Sequence, residues 1–141
     1  MAEVELRIPA ESAYVGVVRL AIAALARTAG LDEDAVEDLN IAVSEACANA
    51  VMSNRSDASG EPVVVGFQHA GEDVVVEVCD RGAAYGRNGE PAPQTQVAPD
   101  RFDMSMALLS SLVDECHLEE RDEGGTRVRL RLSGRTSSVR A

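Results

Sequence analysis

The stretch Leu39 to Asn54, LNIAVSEACANAVMSN, restricts the fold more than any other part of this chain. With Val36 just ahead of it, Leu39, Val43, Cys47 and Ala50 recur at three- and four-residue steps, a spacing that predicts a helix with one apolar stripe turned to a core. A helix of that kind must lie on something. Glu45 and Asn49 stand four residues apart on another side of it, flanked by Asp38, Ile41 or Ala42, and Met52. A carboxylate can take a proton or orient a water, and a carboxamide oxygen is a hard ligand suited to magnesium. The same spacing also fits a solvated glutamate and an asparagine near a helix end, so the pair alone does not decide between them.

The surface under the helix is written in alternating segments. Val128, Leu130 and Leu132 alternate with Arg127, Arg129 and Arg131, the period of a strand that is dry on one side. Glu3 to Ile8 alternates in the same way and is ended by Pro9. Glu11 and Ser12 are candidates to cap a following helix, which keeps Val15, Val18, Ala21 or Ile22, and Leu25 at helical spacing until Gly30. Asp32 is the expected N-cap of the central helix, with Glu33 and Asp34 against the positive end of its dipole. After a polar loop, Asn54 to Pro62, the segments Val63 to Gln68 and Val74 to Cys79 read as strands joined by a hairpin turn, and Asp80 stands just past the second. Arg81 to Asp100 holds Gly82, Gly86, Gly89, Pro91, Pro93 and Pro99 without an apolar period, the composition of a functional lid or an unstructured segment. Met104 to Leu112 returns to helical spacing, Cys116 to Glu120 and Thr126 to Leu132 read as strands around a turn at Arg121 to Gly125, and residues 133–141 form a loose tail. The expectation is one α+β domain over residues 1–132, a two-layer sandwich with three helices on one face of a mixed, largely antiparallel sheet.

Composition removes several classes of function. With two Phe, two Tyr and no Trp, the core falls to Val, Leu, Ile and Ala, and few rings remain to stack on bases. A net charge of -11 repels phosphate backbones, so direct nucleic-acid binding is set aside; such a surface suits a basic protein partner, or solubility alone. Cys47, Cys79 and Cys116 are odd in number, widely spaced, and make no zinc pattern with His69 and His117, so they read as buried reduced thiols. No basic region precedes an apolar run, and no segment reaches the roughly eighteen apolar residues that span a membrane. The expected location is the cytoplasm.

Four motifs in order carry a resemblance: SEACANAV on the central helix, CDRG after the third strand, SSLVDE at the end of the last helix, and GGTRVRL near the end. From about Val4 to Leu132 the chain resembles the bacterial anti-sigma factor serine-protein kinases, which have the Bergerat-type fold of gyrase, histidine kinases and mismatch-repair ATPases. The resemblance implies ATP and magnesium as cofactors, with Glu45 as general base or water-orienting carboxylate and Asn49 as magnesium ligand. It implies that Asp80 accepts a hydrogen bond from the adenine amino group, that Gly82 lets backbone approach the base, and that Thr126 lies beside the adenine. Without the resemblance Asp80 reads equally as a turn-forming strand end. The resemblance further implies a homodimer whose first helix meets a sigma factor or an antagonist protein. Arg19 falls where the family tends to carry an arginine that touches such partners, and is otherwise a solvated charge.

The chain departs from the family in its glycine boxes. Ala84 stands for the second glycine of Asp-x-Gly-x-Gly, and Asp103, Met104, Ser105 and Met106 stand where Gly-x-Gly-Leu precedes the third helix. Ser105 is counted with the cofactor-binding positions, and Ser53 occupies a place where the family often has histidine. The glycines let backbone amides close around phosphates. A negative charge about 5 Å from a phosphate instead costs roughly 3 kcal/mol at an effective dielectric near 20, on the order of a hundredfold in affinity. Three functions compete: an ATP-dependent serine-protein kinase, a binding module of the same fold with little or no kinase activity, and an unrelated small-molecule enzyme using Glu45 with His69 or His117.

Overall fold

Among the described residues, 3–56, 61–80, 99–121 and 124–134 of a computed structural model, five strands and three helices form. They run β1 (Val4–Ile8), α1 (Val15–Thr28), α2 (Glu33–Ser56), β2 (Val63–Ala70), β3 (Asp73–Cys79), α3 (Pro99–Leu112), β4 (Glu115–Glu120) and β5 (Thr126–Ser133). The sheet order is β1-β2-β3-β5-β4. All four pairings are antiparallel, so the mixed component expected from sequence is not found among the described residues. Because β5 enters between β3 and β4, the register that sets Cys79 opposite Arg127 brings Asp80 beside Thr126.

The helices cover one face of this sheet. The predicted stripe of α2, Val36, Leu39, Val43, Cys47 and Ala50, is buried throughout, and it meets Val63, Val65, Val74, Val76, Val78, Leu130 and Leu132 in one core. Burial of that stripe is what makes α2 stable at 24 residues, since isolated helices are marginal in water. At the centre of this layer the Cys47 thiol is pushed up to about 12 by burial, so it is an inert core group rather than a nucleophile. The opposite face is wet and charged. There Arg127 lies 3.8 Å from Glu77 and 3.5 Å from Glu119, Arg129 lies 3.8 Å from Glu77, and Arg131 pairs with Asp73 and with Glu115. Pairs this exposed add little stability each, but they match cross-strand neighbours and fix the register.

Local chemistry ends the helices where the sequence predicts in two places. Gly30 takes φ 96°, and the Gly30 and Leu31 amides donate to the Arg27 and Ala26 carbonyls at 3.0 and 3.1 Å, closing α1 in a Schellman turn. Asp32 Oδ1 accepts from the Ala35 amide at 2.8 Å and caps α2. Replacing Asp32 by alanine is therefore expected to remove about 1 kcal/mol and lower the melting temperature by roughly 3–5 °C. A circular-dichroism melt unchanged by Asp32→Ala would contradict that role.

Other boundaries differ. Neither Glu11 nor Ser12 makes a side-chain cap; a 3-10 turn over Ser12–Tyr14 leads into α1 instead. The α2 helix continues to Ser56, past the expected start of the loop, and β2 and β3 extend to a two-residue turn at Gly71 and Glu72. Pro99 opens α3 five residues before the predicted Met104, because a proline needs no amide partner in the first turn. Of the segment Arg81 to Asp100, residues 81–98 lie outside the described residues, as do residues 135–141 of the expected tail, whereas Ser133 still belongs to β5.

Candidate functional site

Four elements converge at one end of the core. From α2, Asn49 enters a narrow cleft; from the end of β3 comes Asp80; from the start of β5 comes Thr126; and Met106 and Leu109 of α3 form the opposite wall. The volume left is about 10 Å3, room for about one water.

Asp80 is held on several sides. Its amide donates to the Thr126 carbonyl at 3.0 Å, continuing the β3–β5 ladder by one residue. Its Oδ2 accepts from the Thr126 hydroxyl at 2.7 Å, and its carbonyl accepts from the Arg121 guanidinium at 2.9 Å. Both Asp80 and Thr126 are 4% exposed. A carboxylate offers about four acceptor positions, so the Thr126 hydroxyl orients Asp80 without exhausting it. The turn that follows strand β4 supplies Arg121 to this arrangement, with Gly124 at φ 98° and Gly125 at φ 89°. Sequence reasoning placed Arg121 only in a turn, and nothing in its spacing announces the Asp80 contact.

On α2 the two predicted polar residues have different surroundings. Asn49 Oδ1 is buried and has no hydrogen-bond partner among the described residues. A carbonyl left so costs about 1–3 kcal/mol, which a ligand in the cleft would offset. Glu45, one turn earlier and half-buried, accepts a hydrogen bond at Oε2 from the Ser105 hydroxyl of α3. Ser105 is itself 4% exposed. The residue expected to serve the cofactor thus turns its one donor to Glu45.

The cleft therefore gathers Asn49, Asp80 and Thr126, with Glu45 and Ser105 joined next to it. Arg19 is elsewhere, exposed on α1 over a shallow groove whose other wall includes Glu37, Asn40 and Ile41 of α2. Tyr14, Val17, Leu20 and Ile41 are exposed apolar residues of the same two helices or the turn ahead of them. Gly82 and Ala84, and the side chains of Ser53 and Asp103, lie outside the described residues. His117 points to the charged face at 3.4 Å from Glu115, and His69 is exposed at the far end of β2, so neither forms a set with Glu45.

The donor set fits a nucleotide with magnesium in part. An unpartnered buried carboxamide oxygen suits a hard cation, and a fixed buried carboxylate suits an amino donor. Among the described residues no group of three His, Cys, Asp or Glu side chains could hold a metal alone. The narrowness of the cleft is the misfit: its volume of about 10 Å3 holds about one water and not a base.

Comparison with known proteins gives a consistent result. The family model described as histidine kinase-like ATPase domain matches residues 8–132. The chain is 40% identical over 124 residues to the serine-protein kinase RsbW of Bacillus subtilis (strain 168), covering 82% of this chain and 77% of that protein. It is 43% identical over 82 residues to the serine-protein kinase RsbW of Bacillus velezensis, covering 58% of this chain and 51% of that one. The chain thus spans from about half to just over three quarters of these relatives' length. Among solved structures, the RsbU and RsbW domains of Rv1364c from Mycobacterium tuberculosis superpose with a TM-score of 0.69 at 22% identity, over 92% of this chain and 32% of that one. The last likeness concerns fold alone. No described helix is long and apolar enough to cross a membrane.

Proposed function

The chain belongs to the histidine kinase-like ATPase domain family, among the serine-protein kinases, and from that premise we propose that it is an anti-sigma-factor-type regulator that phosphorylates a serine of an antagonist protein. The observation that carries this reading is the meeting of the Asp80–Thr126 pair with the unpartnered Asn49 oxygen in one cleft. When bound, ATP with magnesium supplies the phosphoryl group and neutralises its charge. The residues of the chain do the rest. Asp80 accepts from the adenine amino group while Thr126 holds its carboxylate in plane, Gly82 lets backbone close on the base, and Asn49 Oδ1 ligates the cation. Glu45 takes the proton of the incoming serine hydroxyl. Positioning and charge neutralisation provide most of the acceleration in such chemistry.

The partners follow from the same family: a sigma factor or its antagonist, met by α1 around Arg19, by a homodimer in the cytoplasm. The exposed Val17 and Leu20 beside Arg19 are in keeping with a protein partner.

One observation favours a second reading, a binding module with weakened nucleotide affinity. The carboxylate needed as base is occupied by Ser105 and the cleft is nearly closed. Titration of the purified protein with ATP, with and without magnesium, followed by transfer of labelled phosphate to a candidate antagonist, separates the two. Binding and transfer support the kinase; partner binding without either supports the module. Within the same titration, Asn49→Ala is expected to lose all of the magnesium-dependent part of the affinity while melting as the wild type does. Undiminished sensitivity to chelator in Asn49→Ala would remove Asn49 as the ligand.

A further inference from the structure

Asp80, Ser105 and Thr126 are the buried polar side chains among the described residues. The first and third bond each other, whereas Ser105 reaches across from α3 to Glu45 on α2. Residues of α3 just past that bond line the cleft: Met106 follows Ser105 directly, and Leu109 is one turn further along α3. A rigid outward shift of α3 that takes Met106 and Leu109 away from Asn49 also draws Ser105 from Glu45. That movement gives up the bond between a hydroxyl that is 4% exposed and a carboxylate, and a hydrogen bond to a charged acceptor is among the stronger ones a protein makes.

We propose that Ser105 is a positioning residue that latches α3 to Glu45, holding the cleft shut and Glu45 occupied until nucleotide entry exchanges this bond for others. The inference rests on the reading of the cleft as a nucleotide site and adds to it a cost of opening that the chain carries in one hydroxyl. Affinity measured on the latched protein is reduced by the fraction of molecules that are open.

The test is calorimetric titration with magnesium-ADP on the wild type, Ser105→Ala, Ser105→Thr and Asp80→Asn, with hydrogen exchange of the nucleotide-free proteins. Ser105→Ala should bind about tenfold more tightly, equivalent to about 1.4 kcal/mol, and amides of residues 104–112 should exchange faster. Ser105→Thr restores the hydroxyl and should return both readouts to wild-type values. If Ser105 only packs, Ser105→Ala lowers the melting temperature with no gain in affinity, and the latch is wrong. Threonine behaving as alanine would overturn it as well. Binding lost in Asp80→Asn but equal in Ser105→Ala and the wild type sinks the latch and leaves the nucleotide site standing. Absence of binding in every variant removes both.

Discussion

Glu45→Gln is expected to slow phosphoryl transfer to the antagonist serine by about 10² to 10⁴, the range that a positioned general base contributes. The substitution is chosen because it changes little else. Glutamine has nearly the same shape, and its carbonyl oxygen still accepts the Ser105 hydroxyl at the place where Glu45 does. The α2 stripe behind it, from Leu39 to Ala50, is untouched, so the melting temperature should hold. Nucleotide affinity should not fall, because Glu45 contributes no contact to the walls that carry Asp80 and Asn49. The measurement is single-turnover transfer of labelled phosphate at saturating magnesium-ATP, which separates the chemical step from binding. A rate within threefold of the wild type would mean that Glu45 is not the base, and that some residue of the 81–98 segment or of the partner takes the proton.

What the sequence discloses and what it hides divide along a physical line. The buried stripe of α2, the Asp32 cap, the Gly30 turn and the Val128–Leu132 alternation are local: each is written within one continuous stretch of chain, and all are found. Helix ends are less visible. The run from Asn54 to Ser56 carries polar residues that read as loop, yet it continues α2, and Pro99 reads as a breaker yet starts α3. The site shows the same division. Asp80 and Thr126 could be placed near each other only because motif order implied it, since 46 positions separate them and the contact exists only once β5 enters beside β3. The Ser105–Glu45 bond spans 60 positions and has no counterpart in spacing or in the family pattern, so no reading of the chain alone would pair them. Arg121 belongs to the same class: its guanidinium reaches the Asp80 carbonyl 41 positions away.

Asp80→Asn should weaken magnesium-ADP binding about a hundredfold, close to 2.7 kcal/mol, with a melting temperature near that of the wild type. Asp80 is 4% exposed and acts purely as an acceptor, taking the Thr126 hydroxyl proton on Oδ2. An amide of the same size has one accepting oxygen and one donating nitrogen. If its oxygen keeps Thr126, its nitrogen faces the amino donor of adenine, and two donors meet where a charge-assisted bond worth roughly 1.5–3 kcal/mol had been. If the amide flips, Thr126 can turn its hydroxyl to accept, but the charged acceptor is still gone. The folded protein loses little by comparison, because removing a buried charge offsets part of the lost bond. Base selectivity gives the sharper readout. A fixed carboxylate rejects guanine, which presents a carbonyl where adenine presents an amine, whereas an asparagine can donate to that carbonyl. The ratio of ADP to GDP affinity should therefore fall further than ADP affinity alone. An Asp80→Asn protein that binds ADP as the wild type does, with the same preference over GDP, would show that the carboxylate does not read the base.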